Sequence, residues 1–146
     1  MYIDKVESAN PVRYTVSLGE RRELYSSAIG KLLLAYMDEP RREKYLRTVT
    51  FEAFTPHTIT SARKLRTELE RIVRERIARP DSERVAGASA MAVPVLAADG
   101  RLLAGITLAG PSERVRMNRE RLEEHLRAAG RRLAELAAGR APATLP

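Results

Sequence analysis

The sequence predicts an α+β fold, an antiparallel sheet with helices packed on its faces. Three observations lead there. Two short N-terminal segments alternate apolar and polar residues at period two. Several amphipathic helical patterns follow them. Two nearly all-apolar runs then flank Asp99-Gly100, a dipeptide suited to a tight hairpin. At 146 residues the chain is sized for one domain with a single modest core.

Residues 2–7 (YIDKVE) and 12–18 (VRYTVSL) carry the alternation, and Asn10-Pro11 between them is a turn signal, so they read as an antiparallel strand pair. Ser26-Ser27 then offers hydroxyls to the free amides of a helix start, and Ile29, Leu32, Leu33 and Tyr36 form one apolar stripe of a helix over 26–37. Pro40 ends it and opens a short helix over 41–47, with Tyr45 and Leu46 turned inward. The segment FEAFTPHTITS reads as a loop pinned to the core by Phe51, Phe54 and Ile59. Thr60 or Ser61 caps a third helix over 62–76, whose stripe is Leu65, Leu69, Ile72 and Val73. The two apolar runs around Asp99-Gly100 read as central strands covered on both faces, joined by a two-residue turn. About three strands are expected before a last helix over 117–138, where Leu122, Leu126, Ala129, Leu133 and Leu136 make a seam. The tail GRAPATLP, residues 139–146, has no pattern and is expected to be disordered.

Composition narrows the chemistry. With 44% hydrophobic and 31% charged residues the chain is too apolar for intrinsic disorder and too charged for a membrane protein. No apolar stretch approaches the ~20 residues needed to span a bilayer, and no signal-peptide core is visible, so a cytoplasmic protein without membrane contact is expected. The absence of cysteine excludes disulfides, thiolate catalysis and cysteine-built metal sites. With only His57 and His125 as histidines, no metal site and no cofactor are expected. The net charge of +7 comes from 22 Arg and 4 Lys against 19 acids, scattered over helical faces where the signs alternate.

Several segments together resemble a known family. GERRELYSSAIGKLLLAY, FTPHTIT with the LRTELERIVRE helix, GASAMAVPVLAADGRLLAGITLAGP and RVRMNRERLEEHL are similar to the effector-binding domain of IclR-type bacterial transcriptional regulators, over about residues 2–138. The resemblance implies a GAF-like or profilin-like fold. It also implies a winged helix-turn-helix domain, N-terminal to this one and absent from this chain, through which DNA is bound. A homodimer or homotetramer is implied as well.

The family's ligand pocket maps onto Ala28 and Ile29 at the helix start, Pro80, Ala90 on the next strand, and Thr107 and Ala109 on the last. Members that bind small carboxylates carry Asp, Cys and two Ser at the last four of these positions. Pro80, Ala90, Thr107 and Ala109 depart from that pattern and point to a larger, more apolar effector such as an aromatic acid. Glu23-Leu24-Tyr25 replaces the family's Pro-Leu-His, so the pocket mouth differs too. The expected ligand-binding set is therefore Ser27, Ala28, Ile29, Ala90, Thr107 and Ala109.

Other readings stand beside each of these. Ser26 and Ser27 are caps or an anion site at the helix N-terminus. The Thr107 hydroxyl is satisfied by ligand or by a neighbouring carbonyl. Lys31 counters an anion or points to solvent, His57 lies on a loop beside Pro56 with a ligand role as its alternative, and His125 is a surface residue. No nucleophile, base and orienting acid stand together, so no enzyme is expected. The alternative function is a basic protein that binds nucleic acid directly through its charge, against which no reading helix or aromatic-studded basic strand is seen.

Overall fold

A computed structural model describes residues 2–11, 13–20 and 22–139. Its centre is a hairpin of β1 (Ala88–Leu96) and β2 (Leu102–Pro111), paired antiparallel with Ala90 opposite Ala109 and Ala92 opposite Thr107. Side chains alternate across a strand, and here the alternation is one of size. Ala90, Ala92 and Gly105 meet one helical layer, whereas Met91, Val93, Ile106 and Leu108 pack with the other. Between the strands lie five residues, 97–101, not the expected two. The Gly100 N–H donates to the Ala97 carbonyl and only Gly100 has positive φ, 83°, which is a turn closed by one left-handed glycine.

On the small-residue face lie α1 (Ala28–Ala35), α2 (Glu39–Thr48) and α3 (Ala62–Glu75). Each start is fixed by a side chain. Ser27 Oγ accepts from the Gly30 N–H at 3.2 Å, Asp38 from Arg41 at 3.1 Å with Pro40 in the first turn, and Ser61 from Lys64 at 3.4 Å. A short 3-10 turn, Leu24–Ser26, precedes α1, so the helix begins two residues later than the pattern predicts. Leu32, Leu34, Leu46, Leu65, Leu69 and Ile72 fill this core. Tyr25 anchors the 51–61 loop as expected, with Phe51 edge-on at 5.0 Å and Phe54 stacked at 6.2 Å.

The opposite face receives a short helix that the pattern does not predict, α4 (Ser112–Met117), and then α5 (Arg119–Ala137), close to the expected 117–138. The break between them falls at Asn118, whose φ and ψ of −114° and 16° leave the helical region. Only part of the expected seam packs. Leu122 and Leu126 join Val93, Val115 and Ile77, while Ala129 is exposed and Leu133 and Leu136 remain 46% and 49% exposed.

Three strand expectations are corrected. Residues 2–7 and 13–18 form no ladder. One backbone bond joins Gly19 to Tyr2, and Ile3 and Val6 are 77% and 98% exposed, because alternation yields a strand only where its apolar face has a surface to cover. The hairpin is not covered on both faces throughout, since Leu103 and Ala104 are exposed and, among the described residues, β2 pairs only with β1. The third strand is partial. Ala78 exchanges both backbone bonds with Ala92 at 2.9 Å, but at the next pair Pro80 accepts from Ala90 and has no N–H to return. The expected disorder of 139–146 concerns residues that, after Gly139, lie outside the described ones.

The two layers are tied beside the sheet by Arg79, which grips both Glu123 carboxylate oxygens at 2.6 and 2.8 Å. The Arg79 and Arg119 guanidiniums hold the Glu123 carboxyl at a pKa of about 2 against an ordinary 4.5. A depressed carboxyl adds stability above pH 4.5 that is lost as pH falls toward 2. Glu123→Gln should therefore lower the thermal midpoint at pH 7 and shrink its loss between pH 5 and 2. A profile parallel to the parent's would contradict the assignment. Close approach at Gly30 is a second dependence, since a Cβ there would lie 2.4 Å from the Leu24 carbonyl oxygen. Gly30→Ala is expected to cost about 2 kcal/mol or more in chemical denaturation despite alanine's better helix propensity.

Candidate ligand cavity

A cavity of about 580 Å³ opens beside the start of α1. Its floor follows from the size alternation: Pro80, Ala90 and Ala109 lie in one cross-strand row, small side chains where no helix residue descends to fill the space. Ser27 and Ala28 enter from the helix, and Thr107 lies two residues along β2 from Ala109. The cavity continues to the other layer at Leu108, Leu122 and Leu126. Tyr2, Val6, Tyr14 and Val16 line its outer side. Those apolar residues of the N-terminal segment thus border a cavity in place of forming a sheet.

Five of the six residues expected from the sequence, Ser27, Ala28, Ala90, Thr107 and Ala109, are brought together there. Ile29 is not. Its side chain points toward β2, where a Cβ on Gly105 would lie 2.3 Å from Ile29 Cδ1, and it packs with the core. One step along a helix turns a side chain by about 100°, so Ala28 and Ile29 cannot share a wall. The hydroxyls have partners within the domain. Ser27 is a cap, and Thr107 Oγ1 donates to the Met91 carbonyl at 3.0 Å. His57 and His125 are exposed, with His125 Nδ1 against the Arg121 carbonyl.

The cations are what residue patterning missed. Arg13, Arg22, Arg84, Arg114 and Arg121 line the cavity, scattered in sequence and gathered only by the fold. Arg84 is held over the Phe54 ring, 4.3 Å from its centroid, while its Nη1 donates to Glu23 and, at 3.2 Å, to Ser26 Oγ. Arg22 is paired with Glu20 and donates to the Tyr14 hydroxyl. Beside the cavity, outside its lining, Asp81 Oδ1 accepts from the buried Ser89 and Ser112 hydroxyls at 2.5 and 2.8 Å. Those hydrogen bonds keep its carboxyl ionised, with a pKa of about 2. Lys31 neither points to solvent nor lines the cavity: it is fully buried and paired with Glu83. Among the described residues no group of His, Asp and Glu is placed to hold a metal ion, and no helix is long and apolar enough to cross a membrane.

This arrangement has known counterparts. The model of the bacterial transcriptional regulator IclR C-terminal family matches residues 1–135. The chain belongs to the IclR family. The Escherichia coli K12 regulator KdgR is 33% identical over 126 residues, 86% of this chain and 47% of KdgR. The IclR protein of Thermotoga maritima superposes with a TM-score of 0.73 at 32% identity, over 90% of this chain and 55% of that one. The inducer-binding domain of a double mutant of the PobR transcription factor from Acinetobacter, in complex with 3-hydroxybenzoic acid, superposes with a TM-score of 0.75 at 25% identity, covering 82% and 70%. The relatives are transcriptional regulators, not enzymes, and this IclR-family chain spans about half the length of curated ones such as KdgR.

The caps that shape the cavity wall are open to test. Ser27→Ala removes the acceptor for the Gly30 amide, and denaturant titration should show a loss of about 1 kcal/mol.

Proposed function

We propose that this IclR-family domain senses an organic acid with an aromatic or similarly bulky apolar body. Occupancy of the cavity would control DNA binding by a helix-turn-helix domain of the whole regulator, N-terminal to residues 1–138. The cavity carries the reading. At about 580 Å³, with alanines at its floor and arginines among its lining, it suits a ligand larger than a two- or three-carbon acid, with one anionic group. The complex of the related PobR domain with 3-hydroxybenzoic acid supports that ligand class. To act as a switch the ligand must favour one arrangement of the regulator over another.

The half-exposed Leu133 and Leu136 on α5 support a homodimer or homotetramer. Direct nucleic-acid binding draws little support, because arginines such as Arg66, Arg71 and Arg79 are engaged by Glu43, Glu68 and Glu123 within the domain.

Two measurements test the proposal. Aromatic carboxylates, 3-hydroxybenzoate and benzoate first, are titrated in thermal-shift assays. A binder at 100 times its Kd adds about 2.7 kcal/mol. Ala109→Phe should fill the cavity, change stability by at most about 3 kcal/mol and abolish the shift. An equal shift on that variant would place the site elsewhere. Duplex DNA should bind weakly and only at low salt, and tight binding to one sequence in ~150 mM salt would overturn the assignment.

A further inference from the structure

Lys31 lies one turn into α1 with none of its side chain exposed, and its Nζ donates to Glu83 Oε1, on a side chain only 11% exposed. Among the described residues Glu83 Oε2 is also buried and has no hydrogen-bond partner. Burial pushes the Glu83 carboxyl above its usual range, the mark of a desolvation penalty that the lysine only partly offsets. Buried pairs of this kind add little net stability compared with apolar residues of the same volume. What such a pair does fix is position.

The position fixed here is that of the cavity wall. Glu83 lies in the loop 81–87, whose ends are held by Asp81 to the Ser89 and Ser112 hydroxyls and by the Gly87 carbonyl to the Ser112 N–H. The Ser82 carbonyl accepts from Thr55 Oγ1 and the Glu83 carbonyl from Thr58 Oγ1, both at 2.6 Å, so the Thr-Pro-x-Thr segment holds the loop by its backbone. Ser82 sits at φ 56°, a left-handed conformation a serine adopts only when its surroundings impose it. Glu83, Arg84 and Val85 all line the cavity, as does Ala28 at the start of the helix that carries Lys31. One ion pair thus joins the two walls, α1 and the loop, across 52 residues of sequence.

We propose that Lys31 and Glu83 are positioning residues of the ligand site, whose ion pair clamps the loop 81–87 to α1 and so sets where Arg84 and Val85 meet the ligand. The proposal rests on the ligand-sensing reading above, and its test separates the two. The double variant Lys31→Met with Glu83→Leu removes both charges at similar volume. Its thermal midpoint is expected at or above the parent's. Its affinity for whichever carboxylate shifts the parent, probed with 3-hydroxybenzoate and benzoate, should fall at least tenfold by calorimetry. Hydrogen exchange supplies a readout without ligand. The Ser82 and Ala90 amides, bonded to the Ala88 and Pro80 carbonyls, should exchange at least tenfold faster while α3 amides stay protected. Parent-like affinity and parent-like exchange in a folded double variant would overturn the clamp. If no carboxylate shifts the parent, the ligand reading fails, and exchange alone decides the clamp. Should the double variant not fold, Lys31→Met with Glu83→Gln keeps the shape of the Glu83 side chain, and the same exchange criterion applies to it.

Discussion

The rest of the domain depends on the size alternation along the hairpin. On one face of β1 stand Ala90 and Ala92, on the other Met91, Val93 and Val95. A helix approaches a sheet as closely as the intervening side chains allow, so α1 can settle against alanine and Gly105, burying Leu32 and Leu34 completely. The large residues are met from the other side by Val115, Leu122 and Leu126. Where the small-residue row runs past the beginning of α1, nothing replaces the missing volume, and the space left is the cavity. Core and cavity are consequences of one pattern.

Polar groups then decide where the cavity's less regular walls stand. The loop 81–87 forms no regular ladder of its own, so its backbone and its charges are satisfied by residues remote in sequence: Thr55 and Thr58 for carbonyls, Lys31 for Glu83, Glu23 and Ser26 for Arg84. Such loops carry binding residues because a rigid frame can aim them. Arg79, gripping Glu123 across the layers, extends the same principle to the helices, and its partly buried bidentate geometry makes it stronger than the exposed pairs of α2 and α3.

Much of this was legible in the residues. The helix starts at Ser27 and Ser61, the hairpin at Asp99-Gly100, and the aromatic anchoring of Phe51 and Phe54 follow from local chemistry and were read from it. Five cavity-lining residues were legible through family resemblance, because Ser27, Ala28, Ala90, Thr107 and Ala109 sit on or cap regular elements. Ile29 was misjudged because adjacency in sequence is not adjacency on a helix face. The pairing of Lys31 was missed because a charged residue within an apolar helix gives no sign of a partner 52 positions away.

The sequence by itself determined the α+β class, the absence of cysteine chemistry, the serine caps of α1 and α3, and the row of small residues that makes a cavity possible. Those properties are set by neighbours within a few positions, through hydrogen bonds to caps and the periods of helix and strand. Tertiary structure alone decided that the N-terminal alternation forms no ladder, that a short extra helix precedes α5 and Leu133 and Leu136 stay outside, and that five scattered arginines converge on one cavity. Each of those outcomes depends on whether a surface or an opposite charge is present at a particular place in three dimensions, and a local pattern is the same whether it is present or not.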